Sequence, residues 1–142
     1  MTSLVPAHAE GGDVLALDRA TCLALLATQR FGRVVFTSRA LPAVLPVGFL
    51  LRDDAVLVSI RPGSALAAVA GGVVAFQADS IDAGAREGWS VTAVGRAEEV
   101  HDPALRRRVH AQLSPRAGDD HAVRIGLEQV SGRRLLPGAG AQ

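Results

Sequence analysis

Lysine, asparagine and tyrosine are absent from the 142 residues, and cysteine, methionine and tryptophan occur once each. All 15 basic residues are therefore arginine, which excludes a lysine Schiff base and a lysine general base. The lone Cys22 has no partner for an internal disulfide and suits a reducing compartment. No apolar run reaches the roughly 18 residues of a membrane span. The start "MTSLVPAHAEGGD" lacks the basic and apolar regions of a secretory signal. The expected compartment is the cytoplasm, with no membrane partner. Fifteen cations face 14 acids for a net charge of +1, so no global field gathers nucleic acid.

Other function classes fall away in the same manner. His8, His101, His110 and His121 lack metal-ligand spacing and there is no cysteine pair, so no metal site is expected. The pairs Asp53-Asp54, Glu98-Glu99 and Asp119-Asp120 sit at apparent turns or a strand end and read as solvated rather than as an acid/base couple. No GxSxG elbow is present, which argues against a serine hydrolase. Arg106-Arg107-Arg108 would fan over about 200° of a helix. With no aromatic interleaved, they read as a solvated face rather than a nucleic-acid stripe.

What is present is a core. Apolar residues are 49% and charged residues 20%, the balance of one compact domain. Residues 1–13 are expected to be loose, 14–136 to form the domain, and 137–142 to be a loose tail. "LDRATCLALLATQRFG" (17–32) predicts a helix with Asp18 as N-cap, Leu17 and Cys22 as a hydrophobic staple, and Gly32 as its end. Strands are predicted at 33–38, 43–51, 55–60, 73–79 and 89–100. Pro42 and Pro46 place the second of these at an edge or a bulge. In the last, Trp89, Val91 and Ala93 alternate with Ser90 and Thr92, the mark of one wet face. Residues 80–88 read as a loop. Asp102-Pro103 opens a helix whose stripe is Leu105, Val109 and Leu113, stopped by Pro115. Residues 121–136 read as one or two final strands. The class is mainly β (α+β): antiparallel hairpins closing into a small barrel, with helices as plugs or flanks.

The stretch "SIRPGSALAAVAGG" (59–72) carries the strongest local signal. A strand stops, Pro62-Gly63 turns the chain, and a short helix is predicted over 64–70. Helix N–H groups, the Ser64 hydroxyl and the Arg61 fork are the chemistry that holds a phosphate. It is not a Walker loop, since the glycine spacing and the lysine are missing. The same residues equally make a type II turn and an ordinary N-cap. Trp89 likewise reads either as a wall for a flat ring or as a core plug.

Together, the blocks "LLATQRFGRVVF", "LPAVLPVGFLLRDDAVLVSIRPGSALAAV", "VAFQADSID", "GWSVTAVGRAEEV" and "VRIGLEQVSGRRL" resemble the pyridoxamine 5′-phosphate oxidase-like, FMN-binding split-barrel family. The likeness spans about 16–136, nearest the small actinobacterial flavin-binding proteins related to nitroimidazole reductases. It implies a split β-barrel and a homodimer with FMN at its interface. By position, Pro46, Val47 and Gly48 match the strand whose backbone faces the flavin ring. Ser59, Ile60 and Arg61 match the strand end beside ring and ribityl chain, and Gly63 and Ser64 the phosphate turn. Trp89 and Ser90 match the strand that lines the cofactor from the partner subunit. Ala65 stands where the family turn commonly carries lysine, which removes one cation. The chain is shorter than true pyridoxamine phosphate oxidases and shows no recognisable basic substrate-phosphate cluster near its end, Arg133 and Arg134 being the nearest candidates, so vitamin B6 synthesis is not implied. The implied activity is a flavin-dependent oxidoreductase acting on a small organic acceptor, with no catalytic side chain assigned. The alternatives are a deazaflavin-dependent reductase, whose longer anionic tail Arg86, Arg96 and Arg124 would serve, and a flavin- or haem-binding carrier or sensor.

Overall fold

The computed structural model describes residues 14–68, 70–113 and 121–137. The expectations for residues 1–13, Pro115, Asp119-Asp120 and the tail beyond residue 137 lie outside the described residues. In chain order the elements are β1 (Val14–Leu17), α1 (Arg19–Leu26), β2 (Phe31–Ser38), β3 (Leu41–Arg52), β4 (Ala55–Ile60) and α2 (Ala65–Ala68). Then follow β5 (Val73–Asp82), β6 (Glu87–Glu99), α3 (Pro103–Leu113), β7 (His121–Gly126) and β8 (Gln129–Leu135). All strand pairings are antiparallel.

The order β6-β5-β2-β3-β4-β7 closes on itself through β6–β7, and β8 and β1 extend the sheet beyond β6. This is the split barrel. Two strands make it possible. β3 has 12 residues and β6 has 13, about twice the usual strand, because each serves two neighbours in succession. β3 pairs with β2 from Leu41 to Gly48, then with β4 from Phe49 to Arg52. β6 pairs with β8 from Gly88 to Val94, then with β7 from Ala97 to Glu99. The edge expected from Pro42 and Pro46 is there: that half of β3 has β2 on one side only.

The transfer within β6 is tightly built. A Cβ on Gly95 would overlap the backbone oxygen of Gly126, so only glycine lets the two strands approach. The Arg96 N–H, which has no ladder partner there, donates to the Glu128 carboxylate at 3.0 Å. On the opposite edge, toward β5, the Ala97 N–H donates to the Gly72 carbonyl at 2.8 Å. The backbone donor freed at the split is thus satisfied by a side chain.

Alternation puts Val34, Phe36, Phe49, Val56, Val58, Phe76, Val91, Val123 and Ile125 inside the barrel. Phe49 and Phe76 meet edge to face at 4.7 Å. Leu66 on α2 is fully buried and helps close the barrel core. A smaller apolar cluster (Leu57, Val100, Val109 and Ala122) lies outside the barrel, under α3.

Several expectations needed correction. The N-cap and staple hold, with the Thr21 N–H donating to Asp18 Oδ1 at 2.8 Å and Leu17 and Cys22 buried together. The helix, however, ends at Leu26 rather than Gly32. Gly32 lies in β2, where a Cβ would sit 2.5 Å from the Phe76 ring. Sheet pairing and ring packing there override local helix propensity. The loop expected over 80–88 is mostly ribbon: pairing continues to Asp82↔Glu87, with the Asp82 carboxylate accepting from the Gly84 and Ala85 N–H groups. β1 was not foreseen, because four residues paired only to β8 carry little periodicity.

Gly95→Ala is expected to destabilise the protein by about 2–3 kcal/mol in urea unfolding, as overpacking against backbone. Gly84→Ala, in an open turn, should stay within about 0.5 kcal/mol. Equal midpoints for the two variants would contradict this reading of the split.

Candidate functional site

The β3–β4 ladder stops at Phe49↔Val58. Beyond it the strands diverge. β3 follows β2 (Gly48↔Phe31, Pro46↔Arg33), and β4 follows β7 (Ser59↔Ala122, Ile60↔His121). Pro46, Val47 and Gly48 therefore stand on one arm of a fork, and Ser59, Ile60 and Arg61 on or just beyond the other. Val47 and Ile60 point into the core, whereas Pro46 and Arg61 are exposed. Among the described residues no ladder joins the two arms, so backbone N–H and C=O groups line the gap.

The second arm runs into the corner at 61–64. The Ser64 N–H donates to the Arg61 carbonyl at 3.1 Å, and Gly63 has φ +79°. With Pro62 before it, this is a type II turn. The Leu66 N–H donates to Ser64 Oγ at 3.2 Å, so the hydroxyl caps α2 while its own hydrogen stays available to an anion. Buried Leu66 fixes the corner to the barrel. The turn and cap reading is thus correct. It is compatible with the phosphate reading, since both use the same backbone.

Trp89 and Ser90 lie elsewhere. They pair with Ser80 and Asp79 of β5 and with Arg134 and Arg133 of β8. Ser90 is three strands from Gly48 in the sheet, roughly 14 Å at about 4.8 Å per strand. Trp89 belongs to the core, and its rim walls a cavity of about 300 Å³ with Ser80, Glu87, Arg134 and Leu136. The core reading of Trp89 thus holds. Ser90 Oγ accepts from the Gln77 amide at 3.1 Å, and Arg33 links Gln77 Oε1 (3.1 Å) to Asp79 (3.0 Å). One chain thus puts 46–48 and 59–61 on the two arms of the fork and 63 and 64 in the turn that follows, and holds Trp89 and Ser90 apart.

Two polar pairs near the fork were missed. Ser59 Oγ lies 3.4 Å from His110 Nδ1 on α3. Leu113, one turn on, would be 3.6 Å from a Cβ at Gly48, so the end of α3 flanks the fork. The Leu105, Val109, Leu113 stripe contained this signal, because it puts His110 beside the buried edge. Next to Ile60, His121 Nδ1 and Glu99 Oε2 are 2.8 Å apart. That contact holds the Glu99 carboxyl below its ordinary 4.5. No spacing in the sequence announced it, since β6 and β7 meet only through the barrel closure.

Burial, with the Asp18 carboxylate adding to it, pushes the Cys22 thiol above its ordinary 9.0, so the thiol is inert. Among the described residues no three histidine, cysteine or acidic side chains gather to hold a metal. No described helix is long and apolar enough to cross a membrane. Asp54 pairs with Arg124 at 2.9 Å, and Arg107 and Arg108 are exposed.

Comparison with known proteins places this geometry. Residues 18–134 match the family model described as pyridoxamine 5′-phosphate oxidase. The chain is 41% identical over 134 residues to the uncharacterised protein Rv0080 of Mycobacterium tuberculosis, covering 87% of each. Among solved structures it is similar to the FAD-binding protein from Mycobacterium smegmatis, at 30% identity and TM-score 0.68, covering 85% of this chain and 97% of that one. An FAD-binding protein from Mesorhizobium loti matches at 28% identity and TM-score 0.74, with 86% and 96% covered.

The Glu99 pair sets a pH dependence. A carboxyl lowered in the folded state adds stability above its ordinary value, and that stability is lost as pH falls through the folded value. Wild-type urea midpoints should fall more steeply between about pH 5 and pH 3 than those of Glu99→Gln. Parallel profiles would show that the pair makes no difference to folding.

Proposed function

The chain belongs to the pyridoxamine 5′-phosphate oxidase family, and on that premise we propose that the fork seats a flavin, FMN, in an oxidoreductase acting on a small organic molecule. The observation that carries the reading is the divergence of β3 and β4 after Phe49↔Val58. It leaves two backbone edges open beside the turn at 61–64, where the Arg61 guanidinium and the Ser64 hydroxyl suit an anion.

The residues fit the group in kind. The arms at 46–48 and 59–60 offer backbone donors and acceptors to the polar edge of a flat ring. Arg61 and the Ser64 hydroxyl offer charge and a hydrogen bond to the phosphate, and Gly63 leaves room, since nothing lies within 4 Å of a Cβ placed there. Ala65 adds no cation, so Arg61 carries the charge complementarity of the corner. A bound flavin would supply the hydride or electron transfer. The chain supplies binding, orientation and exclusion of water.

The two FAD-binding relatives favour a second reading, in which the cofactor is FAD. Chromatography of the cofactor released by denaturation separates the two.

The homodimer is part of the same proposal. Pairing registers put Phe31, Val44, Val73 and Ile81 on the outer face of the sheet, where they are 74%, 60%, 60% and 52% exposed. A sheet face this apolar is suited to a second copy. Docking there would let the partner's strand supply the Trp89 and Ser90 positions that one chain holds apart from its own fork.

The purified protein should take up flavin with bands near ~370 and ~450 nm. Arg61→Ala should weaken FMN about 10- to 100-fold, while Arg107→Ala leaves it unchanged. A protein that ignores added FMN and FAD would overturn the flavin assignment, and equal affinities in the two variants would overturn the anchor. Phe31→Asp with Val44→Asp should give a monomer by light scattering, and an unchanged mass would place any interface elsewhere.

A further inference from the structure

Arg33, Gln77, Asp79 and Ser90 share the outer face of the sheet on the adjacent strands β2, β5 and β6. Their chain neighbours Val34, Phe76, Ala78, Trp89 and Val91 are buried on the other face. Arg33 lies opposite Gln77, and Asp79 lies opposite Ser90. The side chains link along the diagonals between these pairs, which long side chains can span. Arg33 Nη1 donates to Gln77 Oε1 at 3.1 Å and to Asp79 Oδ2 at 3.0 Å, and Gln77 Nε2 donates to Ser90 Oγ at 3.1 Å.

This chain of bonds has a direction. A guanidinium carries donors only, so the Gln77 atom that faces Arg33 is the amide oxygen. The amide nitrogen is thereby turned to Ser90, whose oxygen accepts. A hydroxyl that accepts from an amide N–H cannot send its own hydrogen back along that line. Arg133, opposite Ser90 on β8, is also a donor only. The Asp79 carboxylate is bound by Arg33. The network therefore presents Ser90 as a hydrogen-bond donor to a group outside itself. Phe31 and Ile81, next on the same face of β2 and β5, are exposed apolar side chains. Once such a face is covered, a hydroxyl hydrogen without an acceptor costs free energy.

We infer that Gln77 is a positioning residue for the cofactor: anchored by Arg33, it holds the Ser90 hydroxyl as a donor to an acceptor atom of the flavin seated in the partner's fork. The inference rests on the flavin and homodimer reading above and adds Gln77 and Arg33 to it, each acting through Ser90. Ring carbonyls, ring nitrogens and phosphate oxygens of a flavin are acceptors. A donor fixed beforehand loses less freedom on binding than a hydroxyl free to rotate.

Titration of the full chain with FMN and with FAD, followed by flavin fluorescence, tests this in wild type, Ser90→Ala, Gln77→Glu and the double variant. Gln77→Glu keeps the side-chain length and the bond to Arg33, but it offers Ser90 an acceptor and so turns the hydroxyl hydrogen inward. Ser90→Ala and Gln77→Glu should each weaken the flavin about tenfold. The double variant should bind no more weakly than Ser90→Ala, because no hydroxyl is left to misdirect. If wild type binds flavin and either single variant binds it equally well, the fork stands and the positioning role is overturned. The role is also overturned if Gln77→Glu weakens Ser90→Ala as much as it weakens wild type, since charge repulsion or a damaged fold would then be the cause. A wild type that ignores FMN and FAD alike would instead fail the flavin reading, and the inference with it.

Discussion

Backbone hydrogen bonding at two points of partner exchange governs this molecule. A strand that changes neighbours midway leaves polar groups without a ladder, and each buried one costs about 1–3 kcal/mol if nothing replaces the partner. In β6 the chain meets that demand itself. Gly95 and Gly126 let the strands close up, and Glu128 accepts the Arg96 N–H. In β3 the exchange stays open. The arms at 46–48 and 59–61 part, and no described strand fills the gap. One split is sealed for stability, whereas the other leaves donors and acceptors facing a space in which a planar, polar-edged ligand can pair with them.

That contrast explains why the candidate site needs few special side chains. The corner at 61–64 is a type II turn held to the barrel by Leu66, with Ser64 capping α2 and Arg61 exposed beside it. Around it the polar groups come in short local pairs, Ser59 with His110 and His121 with Glu99, each joining two elements that meet at this end of the barrel. On the outer sheet face Arg33, Asp79, Gln77 and Ser90 form a polar island among exposed apolar residues.

Much of the fold was legible because it is written in local patterns. The span of β4 was read residue for residue, the Asp18 and Asp102 caps hold, and the alternation at Trp89, Val91 and Ala93 gives the buried face of β6. Errors arose where tertiary contact decides. Gly32 looks like a helix stop in sequence but serves to admit the Phe76 ring, and β1 exists only because β8 pairs with it. In the site, the turn at 61–64 was visible from Pro62-Gly63-Ser64. The pairs made by His110 and His121 were not, because sequence spacing says nothing about which strands the closure of a barrel brings together. The separation of Trp89 and Ser90 from the fork was equally invisible, being a matter of sheet order.

If the open split seats the flavin, the backbone itself must register it. Amide hydrogen exchange of the full chain, with and without saturating FMN, reads this directly. Protection should rise at residues 47, 48, 59–61, 63 and 64 and remain unchanged at Gly95–Ala97, where the split is already sealed. Protection that appears only away from 47–64, or no change at any amide at saturating flavin, would contradict the assignment of the fork.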